Sequence, residues 1–225
     1  MMVPEKLNGI LQTTSDLKTS ALILAAGFSK RMGLHKFALK LKNGATFLEN
    51  LTHQFHDFCC RRIVIVVQPE APNIIENLKL NFPDNVEFVI NYHPESGRFS
   101  SVKAGIAALE SEDLVFIQNV DNPLLNPETL NLLINGLGEF NYVFPVYKGR
   151  GGHPVLITKP VMNSIIISKK TDINLKDYLQ QFSGKPINVD DETVLLNRHF
   201  QKRLKYLIYK LLSCIFAETK PRKRA

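Results

Sequence analysis

Two glycines and two cations follow an apolar run near the beginning of the chain. Residues 22–26 are small or apolar and lead directly into Gly27, and Arg31 and Lys36 lie on either side of Gly33. A strand that ends in small residues leaves room for a ligand against bare backbone, where fixed cations hold an anion. The loop matches neither the dinucleotide-binding fingerprint nor the P-loop. We therefore predict a triphosphate site of another kind.

A carboxylate after a later apolar run is the second candidate for chemistry. Asp121 comes shortly after residues 114–117, and Pro123 then ends the strand, so the carboxylate is expected at the carboxyl edge of a sheet. A lone aspartate in such a place is more often a turn residue or a cap. Together with a second carboxylate from another strand end, Asp121 would form a candidate Mg²⁺ site, because Mg²⁺ prefers one or two carboxylates, waters and phosphate oxygens.

The elements that must position these loops follow from two hydrophobic periodicities. Short apolar runs predict strands at 21–25, 62–67, 86–90, 114–117, 142–147, 154–158 and 186–189. Apolar residues three and four apart predict helices at 46–58, 72–82, 100–109, 127–137 and 176–182. This alternation is typical of an α/β fold with a doubly wound, mainly parallel sheet. Because such sheets bind ligands beyond the carboxyl ends of their strands, both candidate loops fall where a site is expected.

Length and composition indicate one domain with additions. The 225 residues are 44% hydrophobic and 22% charged, which is enough to bury a full core and too apolar for a disordered chain. We predict an N-terminal extension over residues 1–19, an α/β domain over 20–197 and a basic C-terminal helix with a tail over 198–225.

Cysteine use and hydropathy indicate a reduced, cytoplasmic protein. Three cysteines are an odd number, and adjacent Cys59 and Cys60 do not easily bridge each other, so neither disulfides nor a zinc site is expected. No window reaches the roughly 18 apolar residues of a membrane span. Charged residues at positions 5, 6, 16 and 18 do not fit a secretory signal.

The positive charge of the chain is concentrated in its last segment. Residues 198–225 contain nine Lys or Arg and one acid, so the net charge of +7 leaves the first 197 residues at −1. No nucleic-acid partner is therefore expected for the α/β domain. Apolar residues from Phe200 to Ile215 lie on one face of a basic amphipathic helix. Such a helix either packs on the domain or on a second subunit, or contacts a protein partner or an anionic membrane surface.

The first loop resembles that of a known enzyme family. Residues 24–36 read L-A-A-G-x-S-x-R-M-G-x-x-K, and every fixed position resembles the nucleotidyltransferases with a MobA-like NTP transferase domain, most closely the molybdenum cofactor cytidylyltransferases. The resemblance extends over residues 20–196 through four further segments: 91–102, 119–123, 151–155 and 188–191. It implies a Rossmann-like sheet of the nucleotide-diphospho-sugar transferase type, and a nucleotidyltransferase domain over 20–197.

The resemblance also implies an activity and a set of site residues. The reaction would move a nucleoside monophosphate from a nucleoside triphosphate onto a phosphate-bearing acceptor such as molybdopterin, with release of pyrophosphate. Nucleotide binding is implied for Leu24, Ala25, Ala26, Gly27, Arg31, Lys36, Asn91, Gly97 and Ser101. Catalytic roles are implied for Arg31, Lys36 and Asp121, Mg²⁺ binding for Asp121 and Asp190, and acceptor contacts for Gly152 and His153. Ala26 favours CTP over GTP, because the guanylyltransferases of the group usually have glycine there.

For several of these residues a structural role is an alternative to a role in binding. Arg98 is as readily a solvated loop residue as a phosphate ligand. Ser101 is suited to contact the base or to cap the helix that follows it. His153 is equally well explained as an ordinary polar residue at a strand edge.

The chain departs from the family in a turn toward the acceptor, at a residue that affects the shape of the pocket, and in its basic C-terminal helix. Relatives often have a Gly-Asp-x-Gly turn where this chain has Thr171-Asp172-Ile173-Asn174, and they often have Met or Gln at the position of Asn122. Two alternatives therefore stay open. One is a nucleotidyltransferase for a sugar or alcohol phosphate, and the other is a nonenzymatic protein that binds a nucleotide or a cofactor.

Overall fold

The computed structural model describes residues 17–27 and 35–196. The strands are β1 (Thr19–Leu24), β2 (Ile63–Val67), β3 (Val86–Ile90), β4 (Leu114–Asn119), β5 (Tyr142–Tyr147), β6 (Arg150–Gly151), β7 (Val155–Thr158) and β8 (Gly184–Asn188). The helices are α1 (Phe47–Asp57), α2 (Ala71–Asn77), α3 (Arg98–Ala108), α4 (Pro127–Gly136), α5 (Lys159–Ile167) and α6 (Leu175–Leu179). Short 3-10 turns lie at Lys36–Ala38, Pro94–Ser96 and Glu192–Leu195.

The strands form one sheet in the order β3-β2-β1-β4-β7-β5-β6, with β8 paired to β5. Strands β1 to β4, β5 and β8 run in the same direction, whereas β6 and β7 run antiparallel to their neighbours. The predicted mainly parallel sheet is confirmed. Leu24 at the end of β1 lies opposite both Val66 and Asn119, so the ends of three central strands meet at one edge.

Helices cover both faces of the sheet, because alternate residues of a strand point to opposite sides. Ala21 and Ile23 of β1 pack in the core on the side of α1, α2 and α4, whereas Leu22 packs in the core on the side of α3, α5 and α6. Helix α3 lies very close to the sheet. A side-chain carbon added to Gly105 would lie 2.2 Å from Leu22 Cδ1 and 2.8 Å from Val66 Cγ2. This close packing fixes the position of the first turn of α3 at the carboxyl edge.

Local signals in the sequence explain where two helices begin. Helix α1 starts with a capping box, in which the Glu49 backbone N–H donates to Thr46 Oγ1 at 3.2 Å and the Thr46 N–H donates to Glu49 Oε2 at 2.9 Å. Helix α4 starts after Asn126, whose side-chain oxygen accepts from the Glu128 N–H at 2.9 Å. Each cap satisfies backbone donors that the helix leaves without partners.

The largest differences from the prediction are found in three elements. Helix α5 was not predicted, although Val161, Met162 and Ile165 are buried at helical spacing. Helix α2 ends at Asn77 rather than 82, because Lys79 adopts a left-handed backbone with φ of 49°. Strand β6 lies between the predicted strands 142–147 and 154–158, was not itself predicted, and forms a hairpin with β5.

A buried carboxylate closes the amino-terminal edge of the sheet. Glu112 has no exposed surface and accepts hydrogen bonds from Ser20 Oγ at 2.9 Å and from Arg61 Nη2 at 2.8 Å and Nε at 3.2 Å. Burial by itself raises the pKa of Glu112, but the bonds from Arg61 and Ser20 outweigh burial and hold the pKa below its usual value. Glu112 therefore ties β1 and β2 to the start of β4.

Within residues 17–27 and 35–196, no helix is long and apolar enough to cross a membrane. The predicted extension up to residue 16 and the predicted basic helix and tail from residue 197 onward lie outside the described residues.

Candidate active site

A cleft opens at the carboxyl edge, between the ends of β1 and β4 and the first turn of α3. Its volume is about 210 Å³. Eight of the residues predicted to form the site line it: Leu24, Ala25, Ala26, Gly27, Lys36, Gly97, Ser101 and Asp121. Four others, of which only Arg98 was weighed from the sequence, complete the lining: Pro94, Arg98, Asn119 and Val120. Arg31 and Gly33 lie in the segment 28–34, outside the described residues.

The end of β1 supplies a stretch of fixed backbone that lines the cleft. The Ala25 N–H donates to the Val66 carbonyl at 2.9 Å, and Gln68 Nε2 donates to the Ala26 carbonyl at 2.9 Å. A side-chain carbon added to Gly27 would meet no described atom within 4 Å. The glycine therefore leaves open space beside a rigid backbone, as predicted for a surface against which a ligand lies.

Lys36 and Asp121 meet across the cleft. Lys36 Nζ donates to Asp121 Oδ2 at 2.9 Å, and the side chains are 26% and 10% exposed, respectively. The turn after β4 holds Asp121, because the Val120 N–H donates to the Leu24 carbonyl and the Asn122 N–H to the Asn119 carbonyl. Asp121 Oδ1 accepts no hydrogen bond from the described part of the chain. A cation and a carboxylate thus line the cleft beside Gly27, and one oxygen of the carboxylate is not used by any described residue.

Asn91 organises the first turn of α3 and does not line the cleft. Its Nδ2 donates to Ser100 Oγ at 2.8 Å and to Ser101 Oγ at 2.9 Å, and its Oδ1 accepts from the His93 N–H at 2.9 Å. Because Ser101 Oγ accepts from Asn91, its own hydroxyl proton can be donated to a ligand. Asn91 was predicted to bind nucleotide, and its contacts indicate that it supports Ser101.

The first turn of α3 also offers backbone donors. Its N-cap is Gly97, with φ of 89°, and no side chain caps the helix. Backbone N–H groups at the beginning of an 11-residue helix carry a partial positive charge that favours anions.

Gly152 and His153 lie behind the wall of the cleft. A side-chain carbon on Gly152 would lie 2.4 Å from the Val194 carbonyl oxygen, so only glycine fits there. The same carbonyl accepts from the His153 N–H at 3.0 Å and from Asn122 Nδ2 at 3.2 Å. Gly152, His153 and Asn122 therefore all contact Val194. These contacts hold the segment that follows β8 against the turn that follows β4. A direct contact between Gly152 or His153 and the acceptor stays a prediction.

The imidazole of His153 contacts Asn119, which does line the cleft. Asn119 Nδ2 lies 2.9 Å from His153 Nε2. Burial lowers the pKa of His153, while the negative charge of Asp121 and the Ile117 carbonyl act in the opposite direction. Asn119 is not among the predicted site residues, because the predicted strand ends at residue 117 whereas β4 continues to Asn119. The alternating side-chain pattern of β4, continued by one more pair of residues, would have brought Asn119 to the cleft.

The two predicted metal ligands differ in their surroundings. Asp190 follows β8 and is exposed, and it does not line the cleft. Its neighbour Asp191 is buried and accepts from Thr129 Oγ1 at 2.8 Å and from the Thr193 N–H at 2.9 Å. The joint binding of one metal ion by Asp121 and Asp190 stays a prediction.

The residues fit a metal ion that shares its ligands with a substrate. Among the described residues, no group of three or more His, Cys, Asp or Glu could hold an ion alone. Magnesium commonly takes one or two carboxylates, and waters and substrate phosphate oxygens complete its shell. Asp121 Oδ1 is suitably placed in the cleft for such an ion.

The turn that lacks the family's two glycines lies close to the cleft. The Thr171 carbonyl oxygen is 3.9 Å from the position that a side-chain carbon of Gly97 would take. Asn174 caps α6, since its Oδ1 accepts from the Asp177 N–H at 2.9 Å. The last residue of this turn therefore has a structural use in this chain that glycine cannot fulfil.

Comparison with known proteins gives a family and several relatives. A family model described as a MobA-like NTP transferase domain matches residues 21–181. The molybdenum cofactor cytidylyltransferase of Escherichia coli is 26% identical over 78% of this chain and 88% of its own length. The nicotine blue oxidoreductase of Paenarthrobacter nicotinovorans is 26% identical over 76% of this chain and 84% of its own length. The 2-C-methyl-D-erythritol 4-phosphate cytidylyltransferase of Geobacillus kaustophilus is 30% identical over 57% of each chain.

Solved structures share the fold at low sequence identity. A nucleotidyl transferase from Methanothermobacter superposes with a TM-score of 0.67 at 18% identity, over 88% of this chain and 99% of the other. A Mycobacterium tuberculosis protein solved in complex with manganese superposes with a TM-score of 0.62 at 16% identity, over 77% of this chain and 89% of the other. The fold of nucleotide-diphospho-sugar transferases expected from the sequence is confirmed.

Proposed function

The chain belongs to the family of MobA-like NTP transferase domains, and we propose that it is a metal-dependent nucleotidyltransferase that moves CMP from CTP onto a phosphate-bearing acceptor such as molybdopterin. The observation that carries this proposal is the contact of Lys36 with Asp121 at 2.9 Å in the cleft that residues 24–27 also line. A triphosphate needs cations and backbone donors, and its metal ion needs a carboxylate.

Lys36 would leave Asp121 for the triphosphate when the donor binds. Both side chains line the cleft, so a phosphate group can take the place of the carboxylate on the ammonium. Asp121 would then be available to the divalent cation that accompanies the triphosphate. Arg31 would join Lys36 on the phosphates, as the resemblance in the first loop implies. The first turn of α3 would add backbone N–H donors.

The reaction itself would need positioning and charge stabilisation more than a covalent group. A phosphate oxygen of the acceptor forms a bond to the α-phosphorus, and the bond from that phosphorus to the bridging oxygen of the β-phosphate breaks. Pyrophosphate leaves with the bonding electron pair. Lys36 and Arg31 would stabilise the negative charge that grows on the leaving group. The acceptor phosphate is already ionised at neutral pH, so no general base is required.

Asp121 would hold the divalent ion, and Asp190 is the second ligand that the resemblance implies. When bound, such an ion stabilises negative charge on phosphate oxygens and orients them. The manganese complex of a structural neighbour is compatible with a divalent ion in this fold. The choice of Mg²⁺ rests on the preference of that ion for carboxylate, water and phosphate oxygens.

The choice of CTP rests on the end of β1 and on Ser101. Ala26 is buried, and its methyl group leaves less room than the glycine typical of guanylyltransferases. Ser101 can donate its hydroxyl proton, which suits the acceptor atoms O2 and N3 of cytosine.

A sugar or alcohol phosphate is the alternative acceptor. It is favoured by the turn 171–174, which lacks the family's glycines and lies near Gly97. It is also favoured by the name of the Geobacillus relative, a cytidylyltransferase for a sugar-derived phosphate. The Paenarthrobacter relative is named for an oxidoreductase activity, so family membership alone does not decide the reaction. The facing charges of Lys36 and Asp121 favour nucleotidyl transfer.

Thermal unfolding with each of the four nucleoside triphosphates and Mg²⁺ tests the donor half of the proposal. A ligand at about 100 times its Kd stabilises the folded state by about 2.7 kcal/mol, which is several degrees in Tm. We expect the full chain to be stabilised most by CTP. A preference for GTP would overturn the base assignment, and no response to any triphosphate would contradict the proposed function.

Release of pyrophosphate tests the acceptor half. The full chain, CTP and Mg²⁺ are incubated with molybdopterin or with 2-C-methyl-D-erythritol 4-phosphate. We expect release that depends on molybdopterin. Release only with the sugar-derived phosphate would establish the alternative acceptor, and CTP binding without release on either compound would favour the nonenzymatic reading.

A further inference from the structure

Asn119 presents one defined end of its carboxamide to His153. Its Nδ2 lies 2.9 Å from His153 Nε2, and an amide nitrogen can only donate. With the amide placed in this way, Nε2 is the acceptor and the ring proton lies on Nδ1, which is buried and makes no hydrogen bond with a described residue. The carboxamide is planar, so its oxygen is directed away from the ring. Asn119 Oδ1 accepts no hydrogen bond from the residues that the structure describes. It is also not among the fully buried side-chain polar atoms that lack a partner, so it is accessible to solvent.

The ring that orients Asn119 is itself held in place. The His153 backbone N–H donates to the Val194 carbonyl at 3.0 Å, and Nδ1 is buried. Gly152 lies so close to Val194 that no side chain fits between them. Movement of His153 away from Asn119 would therefore require the segment after β8 to shift. The free acceptor on the cleft wall is thus Asn119 Oδ1.

The chemistry of a nucleoside triphosphate limits what this acceptor can meet. Phosphate oxygens at neutral pH accept hydrogen bonds and do not donate them, so among the groups of the nucleotide itself Oδ1 is matched by the base or by a ribose hydroxyl. The base is expected at Ala26 and Ser101, and the phosphates at Lys36. Asn119 lies opposite Leu24 in the sheet and two residues before Asp121, and it lines the same cleft as the residues expected at both ends of the ligand.

We propose that Asn119 selects a ribonucleotide by accepting a hydrogen bond from a ribose hydroxyl, and that His153 is the positioning residue that directs the Asn119 oxygen into the cleft. This inference rests on the proposed function, because it requires that the cleft binds a nucleoside triphosphate. In this inference His153 orients Asn119, which contacts the nucleotide, and His153 does not itself contact the acceptor.

Calorimetric titration of the full chain with CTP, 2′-deoxy-CTP and 3′-deoxy-CTP in the presence of Mg²⁺ tests the role of Asn119. One hydrogen bond corresponds to roughly a three- to tenfold preference for CTP over one of the deoxy compounds. We expect Asn119→Ala to abolish this preference while leaving the affinity for that deoxy compound unchanged. Asn131→Ala, at an exposed position of α4, should keep the full preference.

Two measurements test the positioning role of His153, and a loss of stability alone would not change either of them. His153→Ala should reduce the preference for the ribose hydroxyl in the fraction that remains folded, and His153→Gln should restore part of it, because a glutamine oxygen can accept from Asn119 Nδ2. Nitrogen-15 NMR of the wild-type imidazole should show a neutral ring protonated on Nδ1. A ring protonated on Nε2 would overturn the inference, because the amide would then present its NH₂ group to the cleft.

The outcomes separate this inference from the proposed function. If the wild type binds CTP and both deoxy compounds equally, or if Asn119→Ala keeps the preference, the role of Asn119 is refuted and nucleotide binding stands. If no triphosphate binds, both proposals fail together.

Discussion

Two buried carboxylates lie at opposite ends of β4, and their partners differ. Glu112, before the strand, accepts hydrogen bonds from Ser20 and from two nitrogens of Arg61. Asp121, after the strand, accepts from Lys36 alone among the described residues, and it lines a cleft. Both carboxylate oxygens of Glu112 accept hydrogen bonds from the protein. One oxygen of Asp121 accepts none from the described residues and is available to a ligand.

The difference separates a structural charge from a functional one. A buried charge with many partners stabilises the arrangement that supplies them, and removal of the charge leaves those partners without it. A charge whose single partner is a flexible lysine in an open cleft can exchange that partner for a ligand at small cost. Mutations at the two ends of β4 should therefore affect different properties of the protein.

Asp121→Asn should have the largest effect, and the effect should be on turnover. The variant loses the proposed metal ligand, so we expect pyrophosphate release to fall roughly 10³-fold. Stability should change by less than about 1 kcal/mol, because the broken ion pair borders the cleft. Pyrophosphate release and urea unfolding measure the two quantities. Asp84→Asn, at an exposed position away from the cleft, is the matched control. Turnover within a few fold of wild type would remove Asp121 from the site.

Lys36→Met should have the next largest effect, again on turnover. Removal of one cation from the leaving group should slow pyrophosphate release by about 10²-fold and weaken CTP binding. Methionine preserves most of the aliphatic stem, so the fold should persist. Lys159→Met, on the exposed first turn of α5, is the control for a lost surface lysine. A variant that binds CTP as tightly as wild type would contradict the proposed transfer of Lys36 from Asp121 to the triphosphate.

Glu112→Gln should reverse this pattern. Its amide cannot replace the charge that Arg61 and Ser20 contact, so we expect a loss of about 1–3 kcal/mol in the free energy of unfolding. Turnover per folded molecule should stay at the wild-type level, because Glu112 lies at the opposite edge of the sheet from the cleft. Urea unfolding and pyrophosphate release in parallel measure both. Reduced turnover with unchanged stability would break the distinction between the two carboxylates.

The sequence allowed the position of Asp121 to be predicted better than its surroundings. The rule that ligands bind at the carboxyl edge of such a sheet brought Gly27, Lys36 and Asp121 to one place, and the structure brings them to one cleft. The rule uses only strand ends, which hydrophobic runs indicate well.

Long-range partners were beyond what the sequence could give. Asn119 and His153 are 34 residues apart, and no periodicity relates them. Gly152 was predicted as an acceptor contact, but its close approach to Val194 explains why glycine stands there. Asn91 was predicted to bind nucleotide, yet its amide is used by Ser100 and Ser101. In each case the sequence identifies a polar or small residue near the site. It does not show which neighbouring residue that polar or small residue contacts in the fold.

Acid titration gives the smallest and most specific effect. The pKa of Glu112 lies below its usual 4.5 in the folded protein, because the bonds from Arg61 and Ser20 outweigh burial. The unfolded chain therefore binds a proton more readily than the folded protein does. The stability that Glu112 contributes is complete above the unfolded pKa and is lost as the pH falls through the folded pKa. When urea unfolding is repeated at pH 7, 5, 4 and 3, the difference in unfolding free energy between wild type and Glu112→Gln should stay constant from pH 7 to 5 and narrow below the usual pKa of 4.5. A difference that stays constant down to pH 3 would show that the stabilisation comes from packing rather than from the charge of Glu112.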